Sequence, residues 1–249
     1  MCLIVVGWRV HADYPLVIAA NRDEFHARPT AFAGRWRDFP QLVGGRDLEA
    51  GGTWLGISDT GRFAAVTNVR EPGMAKGARS RGELTANFLS ASVSALDYAR
   101  ELSPAEYSGF NLLLGDGESL VYASNRDGEP RALAPGVYGM SNHVLDTPWP
   151  KLVRARERFS AALKALPDDM AFFELLEDRE IMPDEILPAT GVSLEWERLL
   201  SAIFVQSEAY GTRASTSVRM TGDGKAILTE RSFAPDGRIV QSATISTGV

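Results

Sequence analysis

The chain alternates between groups of strand-like segments and groups of helix-like segments, and this order constrains the fold more than any other feature. Short apolar or β-branched runs come first, two helical segments follow, then strands, a second helical group and a last set of strands. A doubly wound fold would instead alternate single strands with single helices. The order predicts an α+β sandwich, formed by a single domain over residues 1–249, in which helices pack outside two antiparallel sheets.

Local patterns place the individual segments. Apolar runs predict strands over 3–8, 16–20, 53–58, 62–69, 110–114, 120–123, 136–140, 202–205, 215–220, 226–231 and 239–245. Helical spacing of apolar residues predicts helices over 83–91, 95–102, 150–166 and 170–176. The stretch 22–52 contains Pro29, Pro40 and five glycines, which predicts a long irregular loop that could act as a lid.

Charge and cysteine content exclude several functional classes. The formal net charge of −6 leaves no basic footprint for nucleic acid. One cysteine cannot form an intrachain disulfide, and no apolar stretch approaches the ~20 residues of a membrane span. Three scattered histidines and one cysteine lack the spacing of a metal site. We expect a cytoplasmic protein with no nucleic-acid partner, no membrane span and no metal, and the pattern leaves its oligomeric state open.

The single cysteine, Cys2, follows the initiator methionine and opens the first apolar run. Removal of Met1 would leave one residue that carries both a thiol and an α-amine. An α-amine with a pKa near ~8 can accept the thiol proton, and the resulting thiolate is a nucleophile. N-terminal nucleophile hydrolases use this chemistry. Taken alone, however, Cys2 is more typical of a small apolar residue that starts a buried strand.

A series of short sequence blocks resembles the NRDE family, also called Transport and Golgi organisation 2. The first block is the run 16–25, which contains the tetrapeptide Asn21 to Glu24 and is followed by Arg28 and Pro29. The other blocks follow in order at 51–58, 65–68, 80–84, 109–112, 139–142, 147–149, 210–213 and 229–233. The resemblance extends from residue 1 to about residue 240, which is nearly the whole chain.

This resemblance implies a four-layer αββα sandwich, the architecture of the N-terminal nucleophile hydrolases. The family is similar in pattern to the group of penicillin V acylase, bile salt hydrolase and acid ceramidase. Those enzymes share an N-terminal Cys, an early Arg and Asp, two later Asn and a distal Arg. The corresponding candidates in this chain are Cys2, Arg22, Asp23, Asn68, Asn142 and Arg213.

The implied activity is hydrolysis of a small acyl amide or thioester, without a cofactor. Cys2 would attack the carbonyl carbon, Arg22 would favour the thiolate, and Asp23 would hold the α-ammonium group or Arg22 in position. Asn68 or Asn142 would donate a hydrogen bond to the oxyanion. These candidates also have structural interpretations: Arg22 and Asp23 as part of an ion-pair cluster, the two asparagines as turn residues, and Arg213 as a solvated residue of a turn.

The resemblance also implies an alternative function of another class. Animal members of the family have been linked to haem movement and to lipid or acyl-CoA metabolism. The chain could therefore bind or carry haem or an acyl-CoA-like hydrophobic ligand without turning it over. Haem iron requires an axial ligand. His26 and His143 are the candidates that lie nearest to the proposed site residues in the sequence.

Overall fold

Two antiparallel β-sheets form the centre of the protein, in a computed structural model that describes residues 2–248. The strands are β1 (Cys2–Trp8), β2 (Leu16–Phe25), β3 (Thr30–Arg35), β4 (Leu42–Asp47), β5 (Leu55–Ser58), β6 (Phe63–Asn68), β7 (Phe110–Gly115), β8 (Leu120–Ser124), β9 (Arg131–Ala132), β10 (Gly136–Met140), β11 (Tyr210–Met220), β12 (Ala226–Phe233) and β13 (Ile239–Thr247). The α-helices are α1 (Arg81–Ser90), α2 (Ala95–Arg100), α3 (Pro150–Ala162), α4 (Met170–Leu176) and α5 (Leu194–Ser201). Short 3-10 turns lie at Pro104–Glu106, Leu163–Ala165 and Asp184–Ile186.

The two sheets differ in how far apart in sequence their neighbouring strands are. The seven-stranded sheet runs in chain order from β3 to β9, so each strand pairs with the next one. The six-stranded sheet has the order β10-β1-β2-β11-β12-β13. In that sheet β2 lies between β1 and β11, and it therefore joins the beginning of the chain to its last third.

Three apolar clusters define four layers. Between the sheets, Ile4 and Ile18 of one sheet pack with Phe63 and Leu113 of the other. On the outer face of the six-stranded sheet, α3 and α4 cover the strands. On the outer face of the seven-stranded sheet, α1 and α2 do the same. The αββα order predicted from the sequence is confirmed.

Strand β1 is covered on both faces, which explains its continuous apolar sequence. Ile4, Val6 and Trp8 face the other sheet, whereas Leu3 and Val5 face α3 and α4. Side chains alternate along a strand, so Cys2 lies on the same face as Ile4, between the two sheets.

The predicted long loop over 22–52 is wrong, and with it the lid. Residues 22–25 continue β2, and β3 and β4 fill most of the remainder. The glycines that suggested a loop instead permit close packing within the sheet. A Cβ atom on Gly44 would lie 2.6 Å from the backbone oxygen of Leu55, and one on Gly45 would lie 2.0 Å from the Trp54 ring.

Two further predictions need correction in the C-terminal third. The apolar run 202–205 is not a strand, because it follows the unpredicted helix α5 and is buried as irregular chain. Arg213 is not in a turn but in β11, where the pairing register with β2 shifts between Thr212 and Ala214. Among residues 2–248, no helix combines the length and apolar character needed to span a bilayer.

The packing of α3 against the first sheet gives a stability prediction. Phe159 is fully buried, and its ring contacts Phe172 of α4 at 5.2 Å between centroids. We expect Phe159→Ala to lower the free energy of unfolding by roughly 3–5 kcal/mol, because it leaves a cavity between α3 and the sheet. Urea denaturation measures this.

The matched control is Val153→Ala on the same helix, since Val153 is exposed. It should change the free energy of unfolding by no more than about 0.5 kcal/mol. Equal effects of the two substitutions would contradict the layer assignment of α3.

Candidate active site

Cys2 lies at the start of β1, directly opposite Arg22 of β2. Its backbone carbonyl accepts a hydrogen bond from the Ser141 hydroxyl at 3.1 Å, which fixes the end of the strand to the segment after β10. The residue is partly buried and lines a cleft of about 380 Å³ between the ends of the two sheets. The cysteine is therefore at the opening of the sandwich and not deep in its core.

Arg22 shares the inner face of the sheet with Cys2. Its side chain is almost fully buried, donates to the Thr30 hydroxyl at 3.1 Å and lies over the Trp54 ring at 4.3 Å. Trp54 can occupy this place because Gly45 has no side chain. Cation–π stacking and burial thus hold a guanidinium group beside the thiol, and among the described residues no carboxylate forms a salt bridge with it.

Asp23 is the next residue of β2 and therefore faces the opposite side, toward the helices. Its Oδ1 atom accepts a hydrogen bond from Thr212 at 2.8 Å, and its backbone carbonyl accepts one from Tyr210 at 2.9 Å. The irregularity in β11 after Thr212 places these partners against the end of β2. Burial raises the pKa of the Asp23 carboxyl, and the charge of Lys151 and the bond from Thr212 both lower it.

The groups around Cys2 shift the pKa of its thiol in opposite directions. Burial raises the pKa of the thiol, and the Asp23 carboxylate raises it further. The Arg22 guanidinium and the backbone N–H of Asp23 lower it. The net shift is upward, so the thiol requires a nearby base to form the thiolate near neutral pH.

The two predicted asparagines do meet. Asn142, fully buried after β10, donates from Nδ2 to the backbone oxygen and to the Oδ1 atom of Asn68, both at 3.0 Å. Both N–H groups of Asn142 are thus committed. Asn68, at the end of β6, lines the cleft together with Cys2, and its own Nδ2 makes none of the side-chain bonds within residues 2–248. Asn142 fixes the orientation of Asn68, and Asn68 is the one whose Nδ2 group donates no side-chain bond within residues 2–248.

Two sequence blocks of the resemblance meet at one wall of the cleft. Gly52 packs against Gly82, with a would-be Cβ only 2.3 Å from the Gly82 carbonyl carbon, and the backbone N–H of Thr53 donates to the Gly82 oxygen at 3.1 Å. Thr85 also donates to the Thr53 carbonyl. These contacts set the first turn of α1 beside the cleft. Their role is structural.

Arg81, the first residue of α1, was not predicted as a site residue. It lines the cleft and donates to the Gly109 carbonyl at 3.0 Å. Burial lowers its pKa, and the charges of Cys2 and Glu24 raise it. It also lines a groove of about 1020 Å³ that continues from the cleft past Asn68. The sequence block at 80–84 pointed to this position, but nothing in the block singled out the arginine.

Lys151 is the second unpredicted residue. It is 3% exposed and belongs to α3, and Asp23 and Cys2 both act on its pKa. A sequence signal did exist: Lys151 precedes Ala155 and Phe159 by four and eight residues, so it lies on the apolar face of the helix.

The remaining candidates lie apart from the cleft. Arg213 donates from Nη1 to the carbonyls of Phe25, His26 and Arg28 at 2.9–3.2 Å, so it fastens the turn that follows β2. His26 bonds the Ser207 carbonyl at 3.2 Å and its Nδ1 atom is buried. His143 is exposed and bonds Thr147 at 2.9 Å. Of the described residues that line the cleft and the groove, none is a histidine.

The two predicted histidines do not offer an axial ligand for haem at the cleft. Neither His26 nor His143 presents a ring nitrogen to the cleft. Within residues 2–248, no cluster of three His, Cys, Asp or Glu side chains could hold a metal ion. The predicted removal of Met1 concerns a residue outside the described part of the chain.

The charges around Cys2 predict how its reactivity depends on pH. The rate of alkylation by iodoacetamide follows the thiolate fraction. We expect Arg22→Met to shift this pH profile upward, because a cation that lowers the thiol pKa is removed. Asp23→Asn should shift it downward, because an anion that raises the thiol pKa is removed.

The control for the alkylation profile is Arg35→Met. Arg35 forms an exposed ion pair with Asp59 at 2.8 Å and should leave the profile unchanged. Identical profiles for the Arg22, Asp23 and Arg35 variants would mean that the charges around Cys2 do not act on the thiol.

Solved structures with the same fold are N-terminal nucleophile hydrolases. A Caenorhabditis elegans orthologue of N-acylethanolamine-hydrolyzing acid amidase aligns with a TM-score of 0.54 and 13% identity, over 89% of this chain and 93% of that chain. The C2A mutant of conjugated bile acid hydrolase from Clostridium perfringens aligns with a TM-score of 0.53 and 10% identity, over 98% of this chain and 92% of that chain. At these identities the likeness concerns the fold alone.

Sequence relatives are closer. The chain is 40% identical over 242 residues to the Transport and Golgi organization protein 2 homolog of Bos taurus, covering 88% of this chain and 87% of the relative. The human homologue is 38% identical over 240 residues, with the same coverage. The family model described as Transport and Golgi organisation 2 matches residues 1–235. The predicted resemblance is confirmed, and the chain belongs to the Transport and Golgi organisation 2 family.

Proposed function

We propose that the protein is a cysteine hydrolase that cleaves a small, non-peptide acyl amide or thioester with Cys2 as its N-terminal nucleophile. The observation that carries the proposal is the position of Cys2: it lies at the first position of β1, opposite Arg22, in an open cleft that it shares with the amide of Asn68. The fold is one on which other proteins hydrolyse amides, and this supports the proposal.

The reaction would proceed in two stages. The α-amine of Cys2 accepts the thiol proton, and the thiolate attacks the carbonyl carbon while Arg22 stabilises the negative sulfur. The oxyanion that forms accepts a hydrogen bond from Asn68 Nδ2. The C–N or C–S bond of the substrate breaks, and the leaving group takes the proton from the α-ammonium. Water then adds to the acyl-cysteine thioester and releases a carboxylic acid and free Cys2.

Asn142 contributes indirectly because both its N–H groups are bound to Asn68. It holds the Oδ1 atom of Asn68 on one side, which leaves the Nδ2 group of Asn68 toward the cleft. Asn142 is therefore a positioning residue. Arg213 is assigned a similar indirect role through the turn at 25–28 that it fastens.

Substitutions in the cleft should separate these roles. On a panel of acyl amides and thioesters, we expect Cys2→Ala to abolish turnover and Asn68→Ala to lower kcat by about 10²–10³-fold. Asn142→Ala should lower kcat less, because the donor of Asn68 remains but is less well oriented. Purified variants are compared for turnover and for thermal unfolding.

The control for the asparagine variants is Asn87→Ala, an exposed residue of α1, which should keep full activity. Undiminished turnover by Cys2→Ala would exclude the mechanism, whichever substrate is used.

The mechanism also requires that the α-amine belongs to Cys2. A mass spectrum of the intact, untagged protein reports whether Met1 is present, and we expect the mass of the chain without it. A mature protein that keeps Met1 would lack the proposed base, and the α-amine mechanism would be excluded.

The alternative proposal is that the same cleft binds an acyl-CoA-like or other hydrophobic ligand without turnover. The groove of about 1020 Å³ that continues from the cleft favours a ligand longer than the reacting group. A native mass spectrum compared with a denatured one would reveal a co-purifying ligand. Haem is a weaker candidate because no histidine of the described chain faces the cleft, and a haemin titration without a Soret shift beyond a control protein would exclude it.

A further inference from the structure

Lys151 is a buried cation for which the hydrolase mechanism has no role so far. It is the second residue of α3 and is 3% exposed, and Ala155 and Phe159, on the same face of the helix, are fully buried. Its Nζ atom is buried and has no hydrogen-bond partner within residues 2–248. Burial lowers the pKa of Lys151 to about 8.

The charged groups that face Lys151 come from four elements. Arg70 follows β6 and forms a buried ion pair at 2.9 Å with Glu197 of α5. Asp23 of β2 and Cys2 of β1 also act on the pKa of Lys151. Among these neighbours Asp23 raises the pKa of Lys151 most, Cys2 and Glu197 raise it less, and Arg70 lowers it.

Glu197 is already engaged as an acceptor. Its two oxygens accept from Arg70 at 2.9 Å and from the backbone N–H and hydroxyl of Thr190 at 2.8 and 2.6 Å. Together with Lys151, the Arg70–Glu197 pair lines a cavity of only about 10 Å³. The anion with which Lys151 chiefly interacts is therefore Asp23.

A lysine in this place does not help the fold. A buried ammonium group without a hydrogen-bond acceptor lowers stability, and an apolar side chain of the same length would avoid that cost. The benefit of the charge must then lie in what it does to its neighbours. Burial raises the pKa of Asp23, and Lys151 is one of the cations that oppose this shift.

We propose that Lys151 is a positioning residue of the Cys2 site, whose ammonium group is a counter-charge that helps to keep the buried Asp23 ionised. An ionised Asp23 can form an ion pair with the α-ammonium group of Cys2, whereas a protonated, neutral Asp23 cannot. This ion pair rests on the proposed hydrolase function. The effect of Lys151 on the ionisation of Asp23 does not depend on that function.

The first test measures Asp23 directly. Carbon-13 labelling of the aspartate carboxyls allows an NMR titration, and the Asp23→Asn variant identifies the Asp23 signal. We expect Lys151→Met to move the Asp23 titration at least one pH unit upward, and Lys151→Arg to leave it close to that of the wild type. Lys164→Met, at an exposed position just after α3, is the control. An Asp23 titration that is the same in Lys151→Met and the wild type would overturn the proposal.

The second test separates this role from a purely structural one. We expect Lys151→Met to raise Tm and to lower turnover, whereas a lysine that only stabilises the fold would lower Tm when replaced. The difference in Tm between Lys151→Met and the wild type should become smaller as pH rises from about 8 toward 10.5. In this range Lys151 loses its proton in the folded wild type but keeps it in the unfolded chain, so the wild type becomes more stable. A lower Tm for Lys151→Met at every pH would also overturn the proposal.

The two proposals fail in different ways. Absence of turnover in the wild type would reject the hydrolase function and leave the titration of Asp23 unaffected. An active enzyme whose Asp23 titration ignores Lys151 would reject only the role of Lys151.

Discussion

The pairing of β2 with β1 and β11 is the constraint on which the whole site depends. It sets Cys2 opposite Arg22 and sets Asp23 beside Thr212. A shift of this register by one residue would turn Arg22 toward the helices and Asp23 toward the other sheet. It would also change which side chains of β1 and β2 pack into each of the two cores that flank the sheet, and close packing opposes that. The core between the layers thus determines the geometry of groups at its edge.

The last residues of β2 bury polar groups, and their partners fasten the layers together. Asn21 donates to the carbonyls of Leu176 and Ile203 at 2.8 and 2.9 Å and accepts from Ser215 at 2.6 Å. These bonds satisfy a buried amide that would otherwise cost a few kcal/mol. They also join α4 and the chain after α5 to the sheet. The helical layer that contains Lys151 is therefore held in a fixed position relative to Asp23.

The sequence predicted the layers and most strands because apolar periodicity and turn residues report burial directly. It failed over 22–52, since glycines that mark loops also allow strands to pack closely, as Gly45 does under Trp54, and the two prolines lie in the short connections between strands. The family blocks supplied Cys2, Arg22, Asp23 and both asparagines as candidates. Which asparagine leaves its Nδ2 group without a side-chain bond to the described residues depends on a bond between two side chains that are distant in sequence, and spacing carries no information about that.

Arg22 and Asp23 are adjacent in the sequence, and the alternation of side chains along a strand explains how they can have different roles. Neighbouring residues point to opposite faces, so one dipeptide serves two environments. Arg22 reaches the inner face, where the thiol of Cys2 lies, and Asp23 reaches the helical face, where Thr212 and Lys151 lie. Both groups act on the pKa of the Cys2 thiol: Arg22 lowers it and Asp23 raises it. One extended segment paired with β1 therefore places a cation on the inner face of the sheet and a carboxyl group on its helical face, both at the end of β1 where Cys2 lies.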